Sequence, residues 1–242
     1  MFLTSNHICP NILILANGEY SPGFLSVGDN AFYFAIWFSK FTISTVVWMA
    51  NREGPVDGRG SQLSVLNEGK LILPNLVGIT VWTTITPVLT SFEATNLQLQ
   101  LLNTGNLVLH NSKSVVIWQS FNSPTDTLLP HQTLTMVSSL ISRRSQEDYS
   151  SGYYKLFFNN DNVLCLLFQS STMTSLYWSD PWVKDPELVG RSKYNTSRQA
   201  LLDDSGYFWS SDDFTFLATD FGAVTHRRLM LDLDGNLRLY SL

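Results

Sequence analysis

Apolar residues along this chain fall in runs of four to seven, rich in Val, Ile, Leu and aromatic side chains, and the runs are separated by clusters of Asn, Gly, Asp and Ser. This is strand-and-turn punctuation, and no segment sustains the helical period of apolar positions. The pattern predicts an all-β chain. One unit recurs: residues 63–73 read LSVLNEGKLIL and residues 99–109 read LQLLNTGNLVL, with Gly69 and Gly105 36 positions apart. Each reads as strand, glycine turn, strand, because a tight hairpin needs positive φ at a turn position and glycine has no Cβ to oppose it. Trp48, Trp82 and Trp118 keep the same beat, at intervals of 34 and 36, and each closes a short apolar strand. A unit carrying one hairpin cannot bury its apolar face alone, so several copies must pack around a shared centre, which the tryptophans would fill.

The pattern resumes beyond residue 150. Residues 201–209 (LLDDSGYFW) and 229–240 (LMLDLDGNLRLY) are again strand, turn with Gly206 or Gly235, and strand, while residues 153–168 read as a hairpin turning at 159–162. Between them, residues 136–151 (MVSSLISRRSQEDYSS) are polar and lack strand alternation, and are expected to be a linker or surface loop. The expected organisation is therefore a first domain over 1–135, the linker, and a second, incomplete module of the same kind over 152–242.

Composition narrows the function. With 44% hydrophobic residues in 242, the chain can bury a core. Charged residues are only 14%, Ser and Thr supply about a fifth, and the net charge is −5, so nothing draws the surface to nucleic acid or an anionic membrane. The only adjacent basic pairs are Arg143–Arg144 and Arg227–Arg228. No apolar run approaches the roughly 20 residues of a spanning helix, so no membrane insertion is expected, and the first residues do not read as a secretion signal. Cys9 and Cys165, far apart in sequence, are expected to be small buried hydrophobes.

Four stretches carry a resemblance: ANREGPV (50–56), LLNTGNLVL (101–109), WQSFNSPTDTLLP (118–130) and RRLMLDLDGNLRLYSL (227–242). Over nearly everything from residue 17 to 242, the chain resembles the extracellular region of plant G-type lectin S-receptor-like serine/threonine kinases. The resemblance implies the bulb-type lectin fold, a β-prism (β-prism II) of three sheets with pseudo-threefold symmetry, followed by a second partial lectin-like β module. It implies an extracellular or plasma-membrane-tethered ectodomain, here truncated, without the cysteine-rich modules, membrane helix and kinase of full-length relatives.

In bulb-type lectins the sugar site is a strand with the pattern QxDxNxVxY, whose alternate side chains share one face. Carried over by position, the stretch at Leu66 offers Leu66, Glu68, Lys70, Ile72 and Pro74. The stretch at Leu102 offers Leu102, Thr104, Asn106, Val108 and His110, keeping Asn106 and Val108. The stretch at Asp232 offers Asp232, Asp234, Asn236, Arg238 and Tyr240, keeping the acid, the amide and the phenol. Carbohydrate-binding candidates are therefore Asp232, Asp234, Asn236, Tyr240, Asn106 and Val108, in degenerate sites.

Nothing supports catalysis. Asp220-Phe221-Gly222 spells the magnesium triplet of kinases, but a kinase also needs a glycine-rich loop, a strand lysine and an HRD loop, so the triplet reads as a polar turn. Residues 232–236 resemble a calcium loop but lack its third acid and terminal Glu. Asp203–Asp204 and Asp212–Asp213 read as turns, and His7, His110, His131 and His226 lack metal-ligand spacing. No metal, cofactor or catalytic residue is expected. Asn195-Thr196-Ser197 is an N-glycosylation sequon, whereas Asn122-Ser123 is followed by Pro124 and offers none. The expected partner is a mannose-type or cell-wall glycan. The competing reading is a protein-interaction scaffold whose sugar sites have decayed and which meets a receptor or peptide. Homodimerisation through an open strand edge beside residues 237–240 is a further expectation.

Overall fold

The computed structural model describes residues 13–15 (backbone only), 18–40, 45–57, 61–86, 96–179 and 185–242. Cys9 and His7 lie outside the described residues. Strands dominate, as the alternation of short apolar runs requires, and the described helices are two short 3-10 turns. The chain divides into two compact units, Met1–Ser120 and Phe121–Leu242.

The first unit is built of three sheets. Strands β1 (Leu13–Leu15), β9 (Gln98–Leu101), β10 (Leu107–His110) and β11 (Val116–Gln119) form one, with β1 running parallel to β9. Strands β2 (Tyr20–Ser26), β3 (Ala31–Phe38) and β4 (Val46–Met49), with β5 (Val56–Asp57) also on β3, form the second. Strands β6 (Ser64–Val65), β7 (Leu71–Pro74) and β8 (Thr80–Thr83) form the third. Each sheet sends one tryptophan to a common centre. Trp48 from β4, Trp82 from β8 and Trp118 from β11 stand with ring centroids 5.9–6.0 Å apart and planes tilted 61–77°, an edge-to-face triad that satisfies the ring quadrupoles. This is the β-prism expected from the 34–36-residue beat. Asn51 ties the motif ANREGPV into it: its Oδ1 accepts from Phe34 N at 2.8 Å while its Nδ2 donates to the carbonyls of Phe32 and Gly54.

The second unit again has three sheets. Strands β14 (Leu140–Arg143), β15 (Ser151–Phe158), β16 (Leu164–Gln169) and β17 (Thr174–Trp178) form one; β13 (Thr133–Thr135), β18 (Gln199–Leu202), β19 (Tyr207–Ser210) and β20 (Thr215–Leu217) another; β12 (Thr127–Leu128), β21 (Arg227–Leu231) and β22 (Leu237–Ser241) the third. Inward residues of all three, among them Leu128, Leu134, Leu140, Leu156, Phe208 and Leu229, are fully buried together.

One turn geometry joins most of these strands. In the first unit Leu66 N bonds Lys70 O and Leu102 N bonds Asn106 O; in the second Asp203 N bonds Tyr207 O and Asp232 N bonds Asn236 O. In each, the fourth residue, Gly69, Gly105, Gly206 or Gly235, has φ between +79° and +89°. This is the three-residue hairpin with a left-handed bulge position, and it is why these glycines recur. The hairpin expected over 153–168 is β15–β16, with Asn162 taking the left-handed position at φ +62°.

The segment 136–151 requires correction. It contains β14, which pairs with β15, and the chain divides between the two compact units after Ser120 rather than within it. Its alternation was hidden because the inward positions are Leu140 and Ser142: the buried serine satisfies its hydroxyl at Tyr154 N, so a core position looks polar in sequence. Cys165 is buried, and that burial pushes its thiol pKa up, in keeping with a structural side chain.

Candidate functional site

The candidate residues come from two hairpins with the same local form and different surroundings. In the first unit, the glycine turn at Gly105 feeds Asn106 and Val108 into β10, and both are buried, at 6% and 5% exposure. Asn106 Nδ2 donates to Gln119 Oε1 at 2.9 Å, and its Oδ1 accepts from the Ser120 hydroxyl at 3.2 Å. Gln119 and Ser120 belong to the WQSF stretch, where sequence offers no sign that they engage an amide 13 and 14 residues earlier. The hydrogen-bonding groups of Asn106 are thus directed into the protein. At the other end of this hairpin lies a polar cleft of about 440 Å³, lined by Asn96, Gln98, His110, Asn111, Ser112 and Ser114 among others. Such amides and hydroxyls are the groups that exchange hydrogen bonds with a polyhydroxylated ligand. The remaining stretch of the first unit offers nothing similar: Glu68 pairs with Lys70 at 3.3 Å on the turn, and Ile72 and Pro74 are aliphatic.

In the second unit, the turn at Gly235 presents Asp232, Asp234, Asn236, Arg238 and Tyr240 together at the surface. Arg238 lies at the centre. Its Nη1 donates to Asp232 Oδ2 and Asp234 Oδ1, both at 2.8 Å, and its Nη2 to Asp234 Oδ2 at 2.6 Å. Asn236 Nδ2 donates to Asp234 Oδ2 at 2.8 Å, and the Tyr240 hydroxyl donates to Asp232 Oδ2 at 2.7 Å. The Arg238 guanidinium, followed by the Asn236 amide, holds the Asp234 carboxyl well below the usual carboxylate range, and the two carboxylates push Arg238 up in turn. Burial, and then its bond to Asp232, raises the Tyr240 phenol. Arginine at the position where the lectin pattern has valine thus closes the strand on itself, consuming acceptors that a sugar hydroxyl would otherwise use.

The other sequence candidates are accounted for structurally. Asp220 of the DFG triplet sits in a turn and accepts from Arg227 Nη1 at 2.5 Å and from the Ser241 hydroxyl at 3.1 Å. Asp203 caps its turn by accepting from Tyr207 N at 2.8 Å. Asp212, expected as a turn acid, is wholly buried against Arg191, a partner 21 residues away that no local pattern announces. Asn195 is exposed and its Oδ1 accepts from Ser197 N at 3.1 Å. Among the described residues no cluster of His, Cys, Asp and Glu could hold a metal ion, and no helix is long and apolar enough to cross a membrane.

The profile of the D-mannose binding lectin family matches residues 45–151. The receptor protein kinase ZmPK1 of Zea mays is 40% identical over 237 residues, which is 94% of this chain and 28% of that protein. The G-type lectin S-receptor-like serine/threonine-protein kinase LECRK2 of Oryza sativa subsp. japonica is 30% identical over 95% of this chain and 28% of its own length. SD3-1 of Arabidopsis thaliana, of the same description, is 31% identical over 93% of this chain and 30% of its own length. The chain thus spans less than a third of these relatives, and the part it matches is their lectin region, not their kinase. A two-domain fetuin-binding lectin of Scilla campanulata covers 99% of this chain at 16% identity and a TM-score of 0.35, too slight a likeness to weigh. With three sheets around a tryptophan triad and the lectin profile reaching into each of them, the chain is similar to the lectin-bearing region of the plant G-type lectin S-receptor-like kinases.

Proposed function

We propose that this chain is a recognition module, an extracellular lectin-type segment that binds a mannose-type glycan weakly, through the outer face of β22 in the second unit. The observation that supports this reading is the convergence of Asp232, Asp234, Asn236 and Tyr240 on one surface hairpin, where the Arg238 guanidinium donates to both carboxylates at 2.6–2.8 Å, Asn236 to Asp234 at 2.8 Å and Tyr240 to Asp232 at 2.7 Å. A sugar hydroxyl must displace part of that network, and each bond traded away without replacement costs about 1–3 kcal/mol. Binding of a single mannose is therefore expected in the millimolar range, with useful affinity only when several sites act together. Titration of mannose and short mannans against the wild type, Asn236→Ala and Arg238→Val tests it. Submillimolar binding of free mannose contradicts the weakness, and binding indifferent to both substitutions contradicts the site.

A second reading, a protein-interaction scaffold, is favoured by the inward turn of Asn106 and Val108, which leaves the first unit's strand without a sugar-facing amide. It predicts no glycan response in the same titration and capture of a receptor or peptide instead. In either case Asn195 is proposed to carry an N-linked glycan when the protein is secreted. A mobility shift on deglycosylation, lost in Asn195→Gln, is the expected result.

A further inference from the structure

Both adjacent basic pairs in the sequence contribute to one face of the second unit, and the two members of the later pair meet opposite fates there. Arg227 is 1% exposed and fully engaged: it binds Asp220, the Ser241 hydroxyl and the carbonyl of Ala223. Arg228, one residue on, points to the other side of β21. It is half-buried, its Nε is enclosed without any hydrogen-bond partner, and among the described residues no carboxylate lies within ion-pair distance of it. Its guanidinium carbon stands 4.9 Å from the centre of the Tyr240 ring, its cross-strand partner on β22.

Arg143 of the earlier pair approaches the same face. Its Nη2 reaches Met230 Sδ at 4.0 Å, its guanidinium lies 5.1 Å over the Tyr149 ring, and its Nε is held by Asp126 Oδ2 at 3.2 Å. Asp126 is already engaged, by Arg143 and by the Thr127 hydroxyl at 2.9 Å. Burial lowers the pKa of Arg228; the charge of Asp126, and more weakly that of Asp232, opposes the shift without an ion-pair contact, while the positive charge of Arg143 adds to it. Asp232 and Asp234 do not supply such a contact, because Arg238 and Tyr240 bind them.

We infer that Arg228, stacked on Tyr240 with Arg143 beside it, binds the carboxylate of an acidic, uronate-type saccharide. A carboxylate matches the planar fork of a guanidinium, and such charge-assisted bonds are roughly twice as strong as those of a neutral hydroxyl. The tyrosine ring offers an apolar surface to a sugar ring at the same place. The inference rests on the reading of β22 as a saccharide strand and extends it: the acidic group would sit on β21, beside the hydroxyl partners of residues 232–240.

The test is calorimetric titration of this chain with a galacturonic acid trimer, the same trimer methyl-esterified, and a mannose trimer, against the wild type, Arg228→Gln and Arg228→Lys, with unfolding midpoints measured for each. The expected result is that the free acid binds at least tenfold more tightly than its ester, that Arg228→Gln abolishes this preference, and that Arg228→Lys retains only part of it. The esterification comparison needs no variant, so a poorly folding Arg228→Gln leaves the test intact. Equal binding of acid, ester and mannose trimer overturns the acidic site while leaving the lectin reading standing. Binding of none of the three overturns both.

Discussion

Arg191 and Asp212 form a buried ion pair in the second unit: the guanidinium Nε lies 3.1 Å from Asp212 Oδ2, Nη2 contacts the same oxygen, and the side chains are 5% and 0% exposed. The arginine also stands 4.6 Å from the Trp178 ring centre and 4.9 Å from that of Phe214, and donates to Leu164 O at 2.9 Å, while Asp212 accepts from Leu164 N at 2.7 Å. One charged pair therefore joins β16 to the aromatic interior. Breaking such a pair leaves an uncompensated buried charge and costs about 3–5 kcal/mol. Asp212→Ala is expected to lower the unfolding free energy of the second unit by an amount of that order, seen as a lower urea midpoint. Arg191→Met combined with Asp212→Ala should cost less than the sum of the two single changes, as a double-mutant cycle would read out.

The tryptophan triad should dominate the first unit. Trp118 is 7% exposed and contacts both other rings edge-to-face. Trp118→Ala is expected to destabilise by about 3–5 kcal/mol, with loss of the near-ultraviolet circular dichroism of the coupled indoles. An unchanged spectrum would show that the triad is not the centre of that unit in solution.

Turn glycines are expected to differ in sensitivity although they share one conformation. Gly78 has φ +85° and open space around its missing Cβ, so Gly78→Ala meets only the left-handed backbone cost of about 1–2 kcal/mol. Gly235 has φ +81°, and a Cβ there would fall 2.5 Å from the Tyr154 ring and 2.9 Å from the Tyr177 hydroxyl. Crowding should add about 1–3 kcal/mol to Gly235→Ala. Chemical denaturation of the two variants provides the comparison, and equal losses would contradict the close approach.

Tyr177 gives the second unit an alkaline limit. Burial, followed by the nearby Tyr154 and Asp234, pushes its phenol up to about 12, while its hydroxyl donates to Gly235 O at 2.5 Å. An acid with a raised folded pKa contributes stability that is fully present below its ordinary value of about 10. Above that value the unfolded chain loses its proton first, so stability falls as pH rises from about 10 towards 12. Urea midpoints across this window should decline for the wild type and decline less steeply for Tyr177→Phe.

Much of the architecture was legible because it depends on short-range chemistry. The glycine after each Asn-Glu, Asn-Thr, Asp-Ser or Leu-Asp step marks a left-handed turn position, which is a property of the local backbone. The 34–36-residue spacing of Trp48, Trp82 and Trp118 follows from three similar units sharing one centre. What local pattern could not reveal was any position whose burial depends on a distant partner. Ser142 looked like part of a linker because nothing nearby shows that Tyr154 N satisfies it, and Asp212 looked like a turn acid because Arg191 reaches it through the fold.

Asn106 and Asn236 mark the limit most sharply. Each follows a turn glycine, Gly105 or Gly235, and opens the same Asn-Leu-x-Leu strand, so the sequence determined that both stand at the start of the second strand of a hairpin. Only the tertiary structure decided what each amide does. Beside β10 runs β11, whose Gln119 lies opposite Val108 and, with Ser120, takes both ends of the Asn106 amide into the interior. Among the described residues β22 pairs with β21 alone, so no strand covers Asn236, and its amide turns to Asp234 in the surface network around Arg238. A side-chain amide bonds to whatever polar group the fold brings within 3 Å of it, and that neighbour is set by sheet pairing, which repeat periodicity does not encode.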